Sequence, residues 1–122
     1  MSYSQIAKLS ARDLTDGFDC GQADLNQFIQ RYALINQKAN SSQTYITTLN
    51  DQVVGFYTLA VGSVSYANSP ERVSKGLARH PIPVMILARL AIDLSHQGKG
   101  LGKALLKDAL LRTVQASDIA GI

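Results

Sequence analysis

The chain has 122 residues, a mass of 13.2 kDa and a formal net charge of +3. Apolar residues make up 46% and charged residues 17%, which suits one globular domain and excludes a disordered chain or a second domain. A single cysteine, Cys20, excludes an internal disulfide framework, and Cys20 with His80 and His96 falls short of a structural zinc site, so no metal is expected.

The longest apolar run, Val84 to Ala88, is far too short to span a membrane, and the first residues lack the basic-then-apolar order of a signal peptide. A cytoplasmic protein without membrane contact is the expectation. Charge is unevenly placed: residues 1–61 carry four basic and five acidic side chains, residues 62–122 eight and four. The basic half suits an anionic ligand or partner, although an ordinary solvated surface has the same look.

In chain order, Ile6 to Leu9 reads as a short strand, and Arg12 to Cys20 as a polar turn region. Leu25, Phe28, Ile29, Tyr32 and Ala33 follow helical spacing and predict an amphipathic helix over residues 22–38, with this stripe in the core. Residues 44–49 and 53–64 are β-branched and aromatic, and Asn50-Asp51 between them predicts an antiparallel hairpin. Residues 65–83 form a long irregular segment with Pro70, Pro81 and Pro83, and a short helix is expected around 69–77; loops beyond roughly 12–15 residues are often functional. Residues 84–93 read as a central strand, apolar on both faces apart from Arg89. A second helix is expected over 101–117, its apolar face holding Leu105, Leu106, Ala109, Leu110 and Thr113.

The turn between that strand and that helix is Gln97-Gly98-Lys99-Gly100-Leu101-Gly102-Lys103. Glycines let backbone N–H groups approach a ligand, and a helix start adds unpaired donors and partial positive charge, which together suit a phosphate or pyrophosphate. Two phosphate-binding patterns fail. A P-loop ending at Gly102-Lys103 needs Gly where Gln97 stands and Ser or Thr where Ala104 stands. A dinucleotide fingerprint starting at Gly98 needs Gly or Ala where Lys103 stands. What remains is Gln-x-x-Gly-x-Gly after a strand, a pattern that a purely structural turn also satisfies.

Gln97 to Gly102 resembles the coenzyme A signature of the GNAT acetyltransferases. Phe18-Asp19-Cys20-Gly21, Arg31-Tyr32-Ala33, Gly55-Phe56-Tyr57-Thr58-Leu59, Arg79-His80-Pro81-Ile82-Pro83, Arg89-Leu90-Ala91-Ile92-Asp93 and residues 104–110 resemble, in order, the TacT/AtaT-like toxin branch of that family. The resemblance implies an α/β GNAT fold, a mixed and mostly antiparallel sheet with helices on both faces. It also implies acetyl transfer from acetyl-CoA to a primary amine, here the amino group of an aminoacyl-tRNA, with inhibition of translation. By the same resemblance the backbone of Leu90, Ala91 and Ile92 runs along the acetyl and pantetheine groups. Gln97, Gly98, Lys99, Gly100, Leu101, Gly102 and Lys103 hold the pyrophosphate. Arg79, His80 and Arg89 are candidates for the acceptor side, although Arg89 also suits a structural pairing and His80 an ordinary loop position. His96 is expected to be merely exposed. The expected partners are aminoacyl-tRNA, a ribbon-helix-helix antitoxin and a second copy of the chain in a homodimer.

One departure from the pattern is visible. Family members continue past the second long helix, and the tyrosine that protonates the leaving thiolate in them has no counterpart before Ile122. The expectation is thus a single GNAT domain over residues 1–122 without the last strands and helix, its catalytic residue unassigned. Two alternatives follow: a non-catalytic remnant that binds an antitoxin or another copy of itself, and a GNAT enzyme acting on a protein or small amine.

Overall fold

The computed structural model describes residues 2–64 and 82–120. Four strands, β1 (Ala7–Lys8), β2 (Gln43–Leu49), β3 (Gln52–Val64) and β4 (Ile82–Ile92), form one sheet in that spatial order. Every neighbouring pair is antiparallel. Asn50 and Asp51 both take positive φ, 53° and 66°, so the predicted hairpin closes with a two-residue turn whose twist matches its strands. The strand, helix, strand, strand, strand, helix order read from the sequence holds. The predicted helix around 69–77 lies outside the described residues.

Side chains alternate along β3 and so divide the core. Phe56 joins Phe18, Phe28, Ile29, Ala33, Ile46 and Ala91 on one face, while Tyr57 and Leu59 join Leu105 and Ala109 on the other. Phe18 meets Phe56 edge to face at 5.4 Å, and Phe28 stacks on Phe56 at 6.2 Å. The fully buried hydroxyls of Thr44 and Thr58 satisfy each other at 2.8 Å.

The first helix departs from the expected register. It runs as α1 (Ala23–Gln27), a π-helical turn (Phe28–Tyr32) and α2 (Ala33–Lys38). The wider turn holds one residue more than an α-helical turn, so the inward face after it moves by one position. Tyr32, expected in the core, is 48% exposed. Ala33 is buried as expected, and Leu34 packs against the core in place of Tyr32. The Gln37 side chain follows them, donating to the Leu9 carbonyl at 2.7 Å and accepting from the Thr44 N–H at 3.0 Å.

The last helix, α3 (Leu101–Ala120), also differs from expectation: Leu105 and Ala109 are buried, but Leu106 and Leu110 are 43% and 60% exposed. Its inward face includes Asp108 and Arg112. The Tyr57 hydroxyl donates to Asp108 Oδ2 at 2.6 Å, and Arg112 Nε donates to the same oxygen at 2.8 Å. The Arg112 guanidinium lies 4.2 Å over the Tyr45 ring, which stacks on Tyr57. Burial, and then the Asp108 carboxylate, push the Tyr57 phenol well above its ordinary value. Burial works against the Arg112 charge, but the bond to Asp108 and its negative charge outweigh that and hold Arg112 more firmly protonated.

β4, expected as a central strand, is the outer strand of the described sheet, with Ile86 and Leu87 45% and 41% exposed. A run apolar on both faces reads as doubly covered, whereas within the described sheet β4 pairs with β3 alone.

Candidate active site

The Gly-rich turn sits where the sequence places it, between β4 and α3. Gly98 and Gly100 have φ of 77° and 83°, a left-handed backbone that side-chain-bearing residues adopt only at a cost. A Cβ at either position would meet nothing within 4 Å, so the glycines are required by conformation, and the space above them is open. The Ala104 N–H donates to the Gly100 carbonyl at 3.1 Å, which opens the helix and leaves the preceding first-turn N–H groups for a ligand. The Gln97 side chain folds back and donates to the Ile92 carbonyl at 2.9 Å, so it braces the loop. Lys99, Lys103 and Lys107 are all exposed around this end of α3.

A cleft of about 210 Å³ adjoins the turn. It is lined by Leu90, Ala91, Ile92 and Gln97 on one side and by Cys20, Gln22 and Leu25 on the other. The second wall was not foreseen as part of the site. Two hydrogen bonds join the walls: the Asp19 N–H donates to Asp93 Oδ2 at 3.0 Å, and the Leu94 N–H donates to the Asp19 carbonyl at 2.8 Å. Asp93 Oδ1 also caps the short 3₁₀ turn Leu94–His96 by accepting from the Ser95 N–H at 2.9 Å. The Asp19 carboxylate accepts from the Gly21 N–H and the Asn26 amide, which hold its pKa below the ordinary carboxylate range. The link from Asp93 to Asp19 spans 74 positions and leaves no local signal in the sequence.

Between β3 and β4 the register shifts: Thr58 faces Arg89 while Leu59 faces Leu87, so Ala88 is an extra residue on β4. Such a bulge bends the strand and re-aims its groups beside a site. Arg89 is half-buried there, its guanidinium 3.9 Å over the centroid of Phe28, a cation–π contact. Arg79 and His80 lie outside the described residues. His96 is not merely exposed: the Tyr3 hydroxyl is 2.9 Å from its Nδ1, and the two rings meet edge to face. A larger cavity, about 470 Å³, is lined by Lys8, Arg12, Asp13 and Asp51 among others and shares no lining residue with the cleft.

The acetyltransferase (GNAT) family model matches residues 5–118. The chain belongs to that family. GNAT enzymes use acetyl-CoA as cosubstrate, and the open glycine turn, the free helix start and the apolar cleft fit its pyrophosphate and its thioester arm. A tRNA-acetylating toxin of Mycobacterium tuberculosis is 41% identical over 120 residues, 98% of this chain and 72% of that protein. A probable toxin TacT of Sinorhizobium fredii is 34% identical over 108 residues, 86% of this chain and 60% of that protein. Among solved structures, AtaT complexed with acetyl-methionyl-tRNAfMet superposes with a TM-score of 0.82 at 31% identity, covering 99% of this chain and 74% of that one. A tyrosine-to-phenylalanine mutant of AtaT, bound to the C-terminus of the antitoxin AtaR and to acetyl-CoA, gives 0.77 at 32% identity, covering 97% and 70%. Among the described residues no helix is long and apolar enough to cross a membrane.

Proposed function

We propose that this chain transfers acetyl from acetyl-CoA to the amino group of an aminoacyl-tRNA and so blocks translation. The observation that carries the proposal is the 41% identity over 98% of the chain to a tRNA-acetylating toxin. The AtaT structure with acetyl-methionyl-tRNAfMet supports the same reading.

In this reading the backbone of Leu90, Ala91 and Ile92 aligns the thioester arm, and the N–H groups of Gln97 to Gly102 with the Lys103 ammonium hold the pyrophosphate. Acetyl-CoA supplies an activated acyl carbon. β4 pairs on one edge only within the described sheet, so N–H groups on its other edge are the donors proposed for the developing oxyanion. The attacking amine must be neutral, which requires a base or an ordered water to take its proton. Arg89, held over Phe28 beside the β4 bulge, is the proposed contact for the acceptor RNA. Arg79 and His80 remain candidates for the same side.

The antitoxin AtaR in complex with AtaT supports an antitoxin partner here as well. A ribbon-helix-helix antitoxin, a homodimer and a cytoplasmic location belong to the same proposal. A second reading, a partner-binding module without transfer activity, draws on the exposed Val61, Ile86 and Leu87 on the two last strands of the sheet.

The test joins two measurements on this chain. Acetyl-CoA at a hundredfold excess over its dissociation constant should stabilise the fold by about 2.7 kcal/mol, seen as a rise in Tm. Labelled acetyl should then appear on charged tRNA and not on uncharged tRNA. A folded chain with no thermal shift and no transfer would move the conclusion to the partner-binding reading.

A further inference from the structure

Tyr32 is the aromatic side chain that the π-helical turn moves out of the core, and its own helix carries Arg31 and Lys38 beside it, with Asp13 lining a cavity together with Arg31. A continuous α-helix would have carried Tyr32 inward beside Ala33; the wider turn leaves Ala33 buried and Tyr32 48% exposed. π turns inside α-helices occur often at functional sites. Arg31 precedes Tyr32, and Arg31, Ile35 and Lys38, spaced by four and three, share the exposed face of the helix. Between Ala23 and Lys38 the one acidic side chain is Asp24, a turn or more away at the helix start.

The same helix begins at the cleft. Leu25 lines it with Leu90 to Ile92, and Phe28, one turn further, carries the Arg89 guanidinium on its ring. The helix therefore leads away from the cleft in the order apolar wall, Arg89 on Phe28, Arg31 with Tyr32, then Lys38. At 1.5 Å per residue, Tyr32 stands roughly 10 Å along the axis from Leu25.

We infer that this face is a track for the single-stranded 3′ end of an RNA, in which Tyr32 stacks on a base while Arg89, Arg31 and Lys38 meet phosphates. The inference rests on the proposed transfer to aminoacyl-tRNA and extends it to the nucleotides just behind the reacting amine. Aromatic stacking with flanking cations is the usual way of holding single strands without reading their sequence. A cationic track also makes binding fall with salt.

The experiment is fluorescence anisotropy with two labelled RNA hairpins, one with a short single-stranded 3′ end and one blunt. The proteins are the full chain and its Tyr32→Ala, Tyr32→Phe and Arg31→Ala variants, with Tm measured for each. Tyr32→Ala should weaken the tailed hairpin about tenfold, leave the blunt one unchanged, and be rescued by Tyr32→Phe. Arg31→Ala should weaken both and lower the slope of log K against log salt by about 0.7. Equal binding of the tailed hairpin by Tyr32→Ala and the parent chain overturns the inference. So does loss of a dimer in Tyr32→Ala with RNA binding intact, which makes the face a self-association surface. Charged tRNA acetylated equally well by Tyr32→Ala sinks the track and leaves the proposed reaction standing. Tyr32-dependent RNA binding with no acetyl transfer does the reverse.

Discussion

The helix over residues 23–38 seats itself on one face of the sheet with Phe28, Ile29 and Ala33, whereas α3 seats itself on the other with Leu105, Ala109 and the Asp108–Arg112 pair. The first has apolar residues enough to bury, and a one-residue shift in register decides which of them go in. The second turns part of its leucine face outward, because rotating it brings a carboxylate against the otherwise unpartnered hydroxyl of the fully buried Tyr57. A buried hydroxyl without a partner costs about 1–3 kcal/mol, enough to compete with burying one leucine, at about 1.5–3 kcal/mol. The two helices show that an amphipathic stripe names the candidates for a core, while the polar atoms of the facing strand settle the rotation.

The strongest way to break this contrast is at its apolar pole. Phe56→Ala removes the ring that Phe18 and Phe28 both pack against, and a loss of about 3–5 kcal/mol is expected in urea unfolding. Asp93→Ala tests the join between the walls of the cleft. It strips the acceptor from the N–H groups of Asp19 and Ser95, with an expected cost of about 1–3 kcal/mol and a smaller thermal shift with acetyl-CoA than the parent chain shows. Gly100→Ala places a side chain on a left-handed backbone with open space around it, so the cost of about 1–2 kcal/mol is conformational alone. A mutant that keeps its Tm but binds acetyl-CoA normally would show that the turn has no need of that conformation.

The polar pole is probed more finely by pH. Tyr57 has a raised pKa when folded. Its contribution is therefore intact below the ordinary tyrosine value near 10 and fades as pH rises beyond it, since the unfolded chain ionises first. Tyr57→Phe should cost about 1 kcal/mol at neutral pH and flatten the alkaline limb of a stability profile. Asp19 is the opposite case and the smallest effect. Its pKa is lowered when folded, so its contribution is present above the ordinary value near 4 and is lost as pH falls through the folded one. Asp19→Asn should flatten the acid limb slightly, and an unchanged acid limb would remove the carboxylate from the account of that turn.

The site was legible in proportion to how local its chemistry is. Gly98 and Gly100 announced themselves because a strand-to-helix turn with open, left-handed backbone needs glycine within a few consecutive residues. The hairpin at Asn50-Asp51 was readable for the same reason. The wall formed by Cys20, Gln22 and Leu25 was not, because those residues meet β4 from some 70 positions away through Asp19 and Asp93. Arg89 stood out as the one charge on an apolar strand, but nothing in its neighbours named Phe28 as its platform.

By itself the sequence determined the order of the elements, the hairpin, the glycine turn and the membership of a family whose cosubstrate is acetyl-CoA. The first three follow from spacing and backbone conformation within short stretches, and the family from the resemblance of several ordered blocks to its members. Only the tertiary structure decided that Tyr32 faces out, that Leu106 and Leu110 stay exposed while Asp108 and Arg112 turn toward the sheet, and that the cleft has a second wall. Periodicity fixes which residues share a face. It does not fix which way the face turns, because that depends on the hydrogen bonds and volumes offered by strands distant in the chain.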